Sequence, residues 1–342
     1  MPPSRRRATL ATVAASAGVS VATVSKVLNG RSDVAPETRS LVLSLLEQHD
    51  YIAPPQRRAE AASLGTIEVE FDDDLNAYST EIVQGAVQAG AELDVAIVVS
   101  IRRSADRTRG WARDLAAAGR RALIAVTSEL TSGQLAALAR ARLPLVVIDS
   151  LNLPRARVTS VGSTNFAGGL AATQHLLALG HRRVAYLGGP ATAACNQARL
   201  HGYRAAMEAA EAPVLPGYVR AGTFHYQDGV TGGTALLDLA EPPTAIFAGC
   251  DDIALGVLEA ARARGLRVPE DLSIVGFDDT QIARMASPPL TTVRQPLREM
   301  GAVAVRTALR LAAGERIESH HVELATELVV RGSTAPVTHT GG

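Results

Sequence analysis

Thr9 to Gly30 reads TLATVAASAGVSVATVSKVLNG, and the spacing of its apolar residues decides how the rest of the chain is read. Thr9 carries the hydroxyl of a helix N-cap, and Leu10, Val13, Ala14 and Ala17 follow at i, i+3, i+4 and i+7. Gly18 stops that helix, because glycine accepts the left-handed geometry of a helix end. Ser20 caps a second helix, VATVSKVLN, with Val24 and Leu28 turned inward, and Asn29-Gly30 ends it. Pro36 suits the first position of a third helix, whose Leu41, Val42, Leu45 and Leu46 are expected inside. Helix, glycine turn, helix is the helix-turn-helix unit, whose second helix enters the DNA major groove. A plain three-helix bundle shares the outline. The outer face of the second helix separates the two. Ser20, Ala22, Thr23, Ser25, Lys26 and Asn29 offer hydroxyls, an amide and a cation with no carboxylate, which suits phosphates and base edges.

Charge points the same way. The 342 residues carry no net charge, but no acid precedes Asp33, while Arg5, Arg6, Arg7, Lys26 and Arg31 are cationic. A cationic segment on a neutral protein marks a dedicated anion-binding module rather than a general nucleic-acid coat. Apolar residues make up 47% of the chain, an ordinary value for a globular protein with more than one domain. No run of eighteen apolar residues exists, so no membrane span is expected. The basic start lacks the apolar stretch of a signal peptide, so the expected compartment is the cytoplasm. Two cysteines, Cys195 and Cys250, exclude a disulfide framework and a cysteine-built zinc site.

The stretch from Thr9 to Gly30, with VAPETRSLVLSLLEQHDYIAPP after it, resembles the headpiece of the lactose-repressor (LacI/GalR) family. The resemblance implies that Val21, Ala22 and Lys26 face bases. It implies that Ser20, Thr23, Ser25 and Asn29 approach phosphates, with Thr9 and Leu10 near the DNA backbone. Thr12 stands where the family often has an acid, and Lys26 where arginine is common. Lys26 is the chain's one lysine; it can reach guanine acceptors but lacks arginine's planar fork. Residues 53–64 then read as a linker in which QRRAEAA favours a helix too short to be stable alone. The family's hinge enters the minor groove with a leucine wedge. Here Arg57 and Arg58 are placed to grip DNA, but the wedge position falls on Glu60, which phosphates repel. A plain flexible linker is the other reading.

From residue 65 the chain alternates. TIEVEF, VAIVVS, ALIAVT, LPLVVID, RVAYLGG, TAIFAG and LSIVGFD read as buried strands, and FAGGLAATQHLLALG and DIALGVLEAARARG as helices between them. That pattern predicts parallel sheets covered by helices, in two units. Such sheets bind ligands at the carboxyl ends of their strands, but the scaffold alone assigns no function. GxGxxG at the first turn, GxxxxGK[ST] and GxSxG are all missing. Asp72-Asp73-Asp74 reads as a solvated loop rather than a cation site, and His320-His321 as a strand start rather than a metal site. Trp111, in WARDLAAAG, reads as helix packing. Without a nucleophile, base and stabiliser together, catalysis is not expected, nor a cofactor or metal.

HLLALGHRRVAYLGGP, RLHGYRAAME, PTAIFAGCDDIALGVLEAARARGLRVPEDLSIVGFDD and PPLTTVRQPLREMG resemble the effector domain of the same family, which is similar to a periplasmic sugar-binding protein. The resemblance implies an all-α headpiece over residues 1–52, and an α/β effector domain over 65–333 of two doubly wound parallel-sheet lobes. Lobe 1 is expected over about 65–161 and 294–321, and lobe 2 over about 162–292 and 322–333. Crossings are then expected near Gly162, Val293 and Val322. It implies an effector cleft lined by Arg199, Asp278, Asp149, Gln295, Tyr78, Ser79, Phe224, Cys195 and Cys250. Carboxylates and a guanidinium beside aromatic faces suit sugars. Arg199 and Asp278 could instead pair across the lobes, Phe224 could be core, and the cysteines could be small buried hydrophobes. The polar end, 334–342, is expected to be a disordered tail, without heptads for tetramer formation. The expected protein is a homodimeric, effector-gated repressor on a near-palindromic operator, with a sugar or short oligosaccharide as effector. A solute-binding protein without a DNA role, and a DNA-binding regulator with a purine-like corepressor, are the alternatives.

Overall fold

The computed structural model describes residues 9–28, 34–48, 65–72, 75–108, 110–150 and 158–337. The chain divides between residues 63 and 64 into two compact units.

In the first unit, α1 (Leu10–Ala17), α2 (Val21–Leu28) and α3 (Pro36–Gln48) close around Val13, Ala14, Val24, Val27, Val42 and Leu46. The Thr9 hydroxyl accepts from the Thr12 amide at 3.3 Å, and the Thr12 hydroxyl lies 3.0 Å from it. Thr12 thus completes a capping box without an acid. Gly18 ends α1 at φ 64, and its amide bonds back to Ala14 and Ala15. The axes of α1 and α2 then differ by 100°, the helix-turn-helix angle. Val24 and Val27 are buried in α2, and the Leu28 side chain lies outside the described residues. One expectation needs correction. Leu41 is 49% exposed, because at 3.6 residues per turn the inward face of α3 holds Val42, Leu45 and Leu46 instead.

The second unit has two lobes, each a six-stranded sheet with helices on both faces. Lobe 1 contains β1 (Thr66–Phe71), α4 (Ala77–Glu92), β2 (Ala96–Ile101), α5 (Trp111–Ala117), β3 (Arg120–Val126), α6 (Ser132–Arg140), β4 (Leu145–Ile148) and β5 (Thr159–Ser163). Lobe 2 contains α7 (Asn165–Ala178), β6 (Val184–Leu187), α8 (Ala194–Ala209), β7 (Val219–Arg220), α9 (Tyr226–Leu237), β8 (Ala245–Ala248), α10 (Asp251–Arg262), β9 (Ser273–Asp278), α11 (Gln281–Met285) and β10 (Thr291–Arg294). The chain returns to lobe 1 with α12 (Leu297–Ala312) and β11 (His321–Leu324), then to lobe 2 with β12 (Glu327–Val329). The strand orders are β11-β5-β4-β3-β1-β2 and β12-β10-β9-β8-β6-β7. Among the described residues, every strand pairing is parallel except that of β10 with β12.

The last crossing is later than the sequence suggests. Residues 322–324 belong to lobe 1, where His321 to Leu324 pair with Ser160 to Ser163. Thr326 then bonds Thr164, amide to hydroxyl at 2.9 Å, where two crossing strands run side by side. The stretch HVELATELVV is extended throughout, so only its pairing partners show where it changes sheet. The proposed disordered tail is also corrected in part. Ser333 is fully buried, Ala335 donates to Ser273 at 3.1 Å, and Val337 donates to the Leu179 carbonyl at 2.9 Å. The small polar side chains of Ser333 and Thr334 bond Thr291, which holds this stretch against lobe 2. Residues 338–342 lie outside the described residues.

Trp111 begins α5 and is buried, and its indole N–H donates to Glu70 at 3.2 Å. Glu70 is fully buried inside β1 because Arg107 and Arg102 pair with it at 2.8 and 3.0 Å. Among the described residues, no single helix is long and apolar enough to cross a membrane.

Candidate functional site

Both lobes line a cavity of about 510 Å³, within the usual range for a small-molecule site. Its walls form where strands end. Asp72 follows β1, Thr127 follows β3, Asp149 follows β4, and Asp278 closes β9. Thr127, Asp149, Phe224 and Asp278 all adopt positive φ, at 47°, 45°, 69° and 115°. Non-glycine residues held there cost roughly 1–3 kcal/mol each, and such strain concentrates at functional sites. Tyr78, Ser79, Asp149, Cys195, Arg199, Phe224, Cys250 and Asp278 are thereby brought together on one cavity. Gln295 does not line it. Its amide donates to Asp278 Oδ1 at 2.6 Å from behind, and its carbonyl accepts from Ser163 at 2.5 Å.

Arg199 lies on α8, with 4% of its side chain exposed. Its Nε donates to Asn165 Oδ1 at 2.7 Å and its Nη1 to the Gly249 carbonyl at 2.6 Å. The guanidinium carbon sits 3.8 Å from the Phe277 ring centroid and 5.8 Å from that of Phe224, a cation–π arrangement. Asp278 Oδ1 is 4.0 Å from Nη1, and both residues belong to lobe 2, so this contact does not run across the lobes. Helix packing sets the position of α8. A Cβ on Gly169 of α7 would lie 2.3 Å from the Arg199 carbonyl oxygen, and one on Gly202 of α8 2.2 Å from that of Phe166. Only glycine permits that approach.

From lobe 1, the Tyr78 hydroxyl donates to Asp149 Oδ2 at 2.7 Å. Burial pushes both the Asp149 and the Asp278 carboxyl upward, and nearby Arg199 opposes the rise in each case. Burial likewise raises the Cys195 thiol to about 11 and that of Cys250 well above its usual range, so both are protonated at neutral pH. The Cys250 thiol donates to the Phe224 carbonyl at 3.4 Å. Gly189 leaves room for the Phe224 ring, which a Cβ there would meet at 2.2 Å. Phe224 is half-buried, packed against the core of lobe 2 and also walling the cavity.

Several wall residues were not anticipated: Phe71, Asn76, Arg103, Thr127, His225 and Asp252. Each stands at or just past the end of a strand, or at the start of a helix, and that placement was the signal available. Asp72 departs from the solvated-loop reading. It pairs with buried Arg107 and accepts from Ser128 at 2.8 Å. Asp73 and Asp74 lie outside the described residues. His320 and His321 bond Thr159 and Ser160 beside β11. Among the described residues, no cluster of three or more His, Cys, Asp or Glu side chains is placed to hold a metal ion.

In the first unit, Ser20 caps α2, accepting from the Thr23 amide at 3.1 Å and lying 2.9 Å from its hydroxyl. Val21, Ala22 and Lys26 are exposed on α2, Val21 by 45%. An isolated exposed valine is unremarkable, but one between hydroxyls and a cation forms a mixed apolar and polar face. Thr9 is exposed, and Leu10, Thr23 and Ser25 are half-buried. Asn29, Arg57, Arg58 and Glu60 lie outside the described residues.

Comparison with known proteins accounts for both units. Residues 9–54 match the bacterial regulatory proteins of the lacI family, and residues 173–334 a periplasmic binding protein-like domain. The chain is 34% identical to the HTH-type transcriptional regulator DegA of Bacillus subtilis, covering 97% of this chain and 99% of that one. It is 35% identical to the regulator CelR of Thermobifida fusca, covering 96% and 99%. A solved CelR–cellobiose complex superposes with a TM-score of 0.73 at 33% identity, over 96% of this chain and 100% of that one. The lac repressor dimer bound to operator and the anti-inducer ONPF superposes at 0.80 with 28% identity and the same coverage. With a capped helix-turn-helix before a two-lobed sheet domain, and relatives that match along nearly the whole chain, this protein belongs to the lacI family of DNA-binding transcriptional regulators.

Proposed function

We propose that this regulator is a homodimeric repressor of the cytoplasm that binds a near-palindromic operator, and that a sugar or short oligosaccharide gates its grip. The cavity wall carries the effector reading. Asp149 and Asp278 can accept from hydroxyls, Arg199 can donate to them, and the Phe224 face can cover apolar C–H groups. The volume of about 510 Å³ leaves room for more than one sugar ring. The CelR relative whose solved complex contains cellobiose supports the same class.

On the DNA side, Val21, Ala22 and Lys26 are proposed to meet bases. Thr9, Leu10, Ser20, Thr23 and Ser25, with Asn29, Arg57 and Arg58, are proposed to meet the backbone or minor groove. The solved lac repressor dimer on its operator supports a two-fold arrangement. Lys26→Ala should relax preference at one base pair per half-site and cost roughly 1–3 kcal/mol. Removing Arg5, Arg6 and Arg7 should weaken binding to every sequence and flatten its salt dependence.

Operator titration with and without sugar tests the gating. Arg199→Ala should leave sugar-free operator affinity unchanged, while the sugar concentration needed for a response rises about tenfold or more. A dose-response equal to that of the native chain would remove Arg199 from the site. Adenine tests the purine-like alternative, which needs flat stacking against Phe71, Tyr78 or Phe224. Adenine that shifts operator affinity where sugars do not would replace the sugar reading.

A further inference from the structure

We infer that the effector is a sugar without phosphate or carboxylate groups, and that the wall chemistry of this cavity excludes the acidic forms of the same sugars. The inference rests on the sugar reading above and narrows it.

The donors of the buried cation come first. A phosphate or carboxylate is held best by a guanidinium fork, two parallel N–H bonds from adjacent nitrogens. Arg199 has two such edges, Nε with Nη2 and Nη1 with Nη2. Nε is committed to Asn165 at 2.7 Å and Nη1 to the Gly249 carbonyl at 2.6 Å. The Nε edge is closed to a fork because its one N–H is spent, whereas Nη1 retains a second N–H beside Nη2. The flat face is covered as well, with Phe277 3.8 Å away. Arg199 thus keeps donors for a ligand only on Nη1 and Nη2, where Asp278 Oδ1, 4.0 Å from Nη1, already offsets the charge an oxyanion would seek.

The remaining walls are rich in acceptors. Asp149, Asp252 and Asp278 line the cavity. Asp149 takes a hydrogen bond from Tyr78 at 2.7 Å, and Asp278 one from Gln295 at 2.6 Å. An ionised carboxylate has about four acceptor sites, so both can still take bonds from a ligand. Sugar hydroxyls supply donors to them; an oxyanion supplies none and adds like charge. Asp72, a fourth wall carboxylate, is already neutralised by Arg107. Arg103, also on the wall, is exposed and therefore screened by solvent.

Thermal-shift and calorimetric titration of the full chain with matched pairs tests this: glucose against glucose 6-phosphate and glucuronate, ribose against ribose 5-phosphate, and cellobiose against cellobionate. The expected result is that a neutral member binds and its acidic counterparts bind about tenfold more weakly or worse. In Asp252→Asn the gap between the two should narrow, because wall charge sets it. Equal or tighter binding by an acidic member overturns the inference and leaves the sugar reading intact. An unchanged gap in Asp252→Asn overturns the charge argument. Adenine binding in place of every sugar overturns the sugar reading itself, and the inference with it.

Discussion

The Gln295 side-chain amide donates to Asp278 Oδ1 at 2.6 Å, while its carbonyl accepts from Ser163 at 2.5 Å. Gln295 follows β10, where the chain leaves lobe 2, and Ser163 ends β5, where it first enters it. The carboxylate at the cavity wall is therefore bonded to the segments about which the lobes are joined. A ligand that draws on Asp278 acts on both crossings, which gives a differential contact energy a route into lobe arrangement.

Gln295→Glu tests that bond. It would set a second carboxyl against Asp278, and two buried carboxyls at that separation cannot both ionise. The shared proton raises the folded-state affinity for protons above that of the unfolded chain. Stability from that proton is present at low pH and lost as pH rises. The variant should be less stable than the native chain by roughly 1–3 kcal/mol at pH 7.5, and the difference should shrink at pH 5. Melting curves at the two values measure it; an equal difference at both would place the carboxyls apart.

A second pH effect is expected at Asp251. It is fully buried at the start of α10, accepting from the Thr280 amide at 2.8 Å and the Thr292 hydroxyl at 2.6 Å. Burial raises it to about 7 from an ordinary 3.8, the hydrogen bonds oppose the rise, and nearby Asp279 adds to it. The folded state thus holds a proton that the unfolded chain releases near pH 4. Its contribution to stability is complete below that value and disappears as pH climbs toward 7. Asp251→Asn, which keeps one acceptor oxygen, should flatten the pH dependence of melting between about pH 4 and 7. An unaltered slope would mean that Asp251 does not titrate there.

Gly169→Ala should move Arg199. The added Cβ meets the Arg199 carbonyl oxygen at 2.3 Å and its backbone carbon at 2.9 Å, and backbone inside a helix cannot step aside alone. Overpacking of this kind costs roughly 1–3 kcal/mol. The expected variant melts earlier and needs more sugar for the same operator response, with operator affinity without sugar preserved. Native melting and native response together would show that α7 and α8 separate freely.

Gly18→Ala should act on the first unit alone. No atom lies within 4 Å of the added Cβ, so the cost is conformational, from φ 64. That amounts to about 1 kcal/mol for a residue with a side chain. Operator affinity should fall by a few-fold through a less stable headpiece, while sugar binding by the second unit stays as it was. Calorimetry of sugar binding beside operator titration separates the two.

Local chemistry made much of this protein legible. Thr9, Gly18 and Ser20 mark helix ends by hydrogen bonding and φ preference within a few residues, and the structure has α1 between the first two and α2 after the third. LSIVGFD is apolar enough to be a strand buried on both faces, and β9 is, whereas the alternate Glu68 and Glu70 of TIEVEF are buried in β1 only through pairing with Arg120, Arg107 and Arg102. Long-range pairing was not legible. HVELATELVV looks equally extended along its length, and only the partners of His321 to Leu324 assign those residues to lobe 1. Leu41 resembles Leu45 in kind, yet helix phase turns it outward. Asp72 carries the same carboxyl as any loop aspartate, and only the fold sets buried Arg107 beside it. Gln295 stands within three residues of Val293 in the sequence, but its partners, Asp278 and Ser163, are 17 and 132 residues away. Sequence determined which segments form helices and strands, because capping, turn geometry and burial period act over a few residues. The tertiary structure decided which carboxylates, donors and rings share one cavity, because that depends on contacts between segments far apart in the chain.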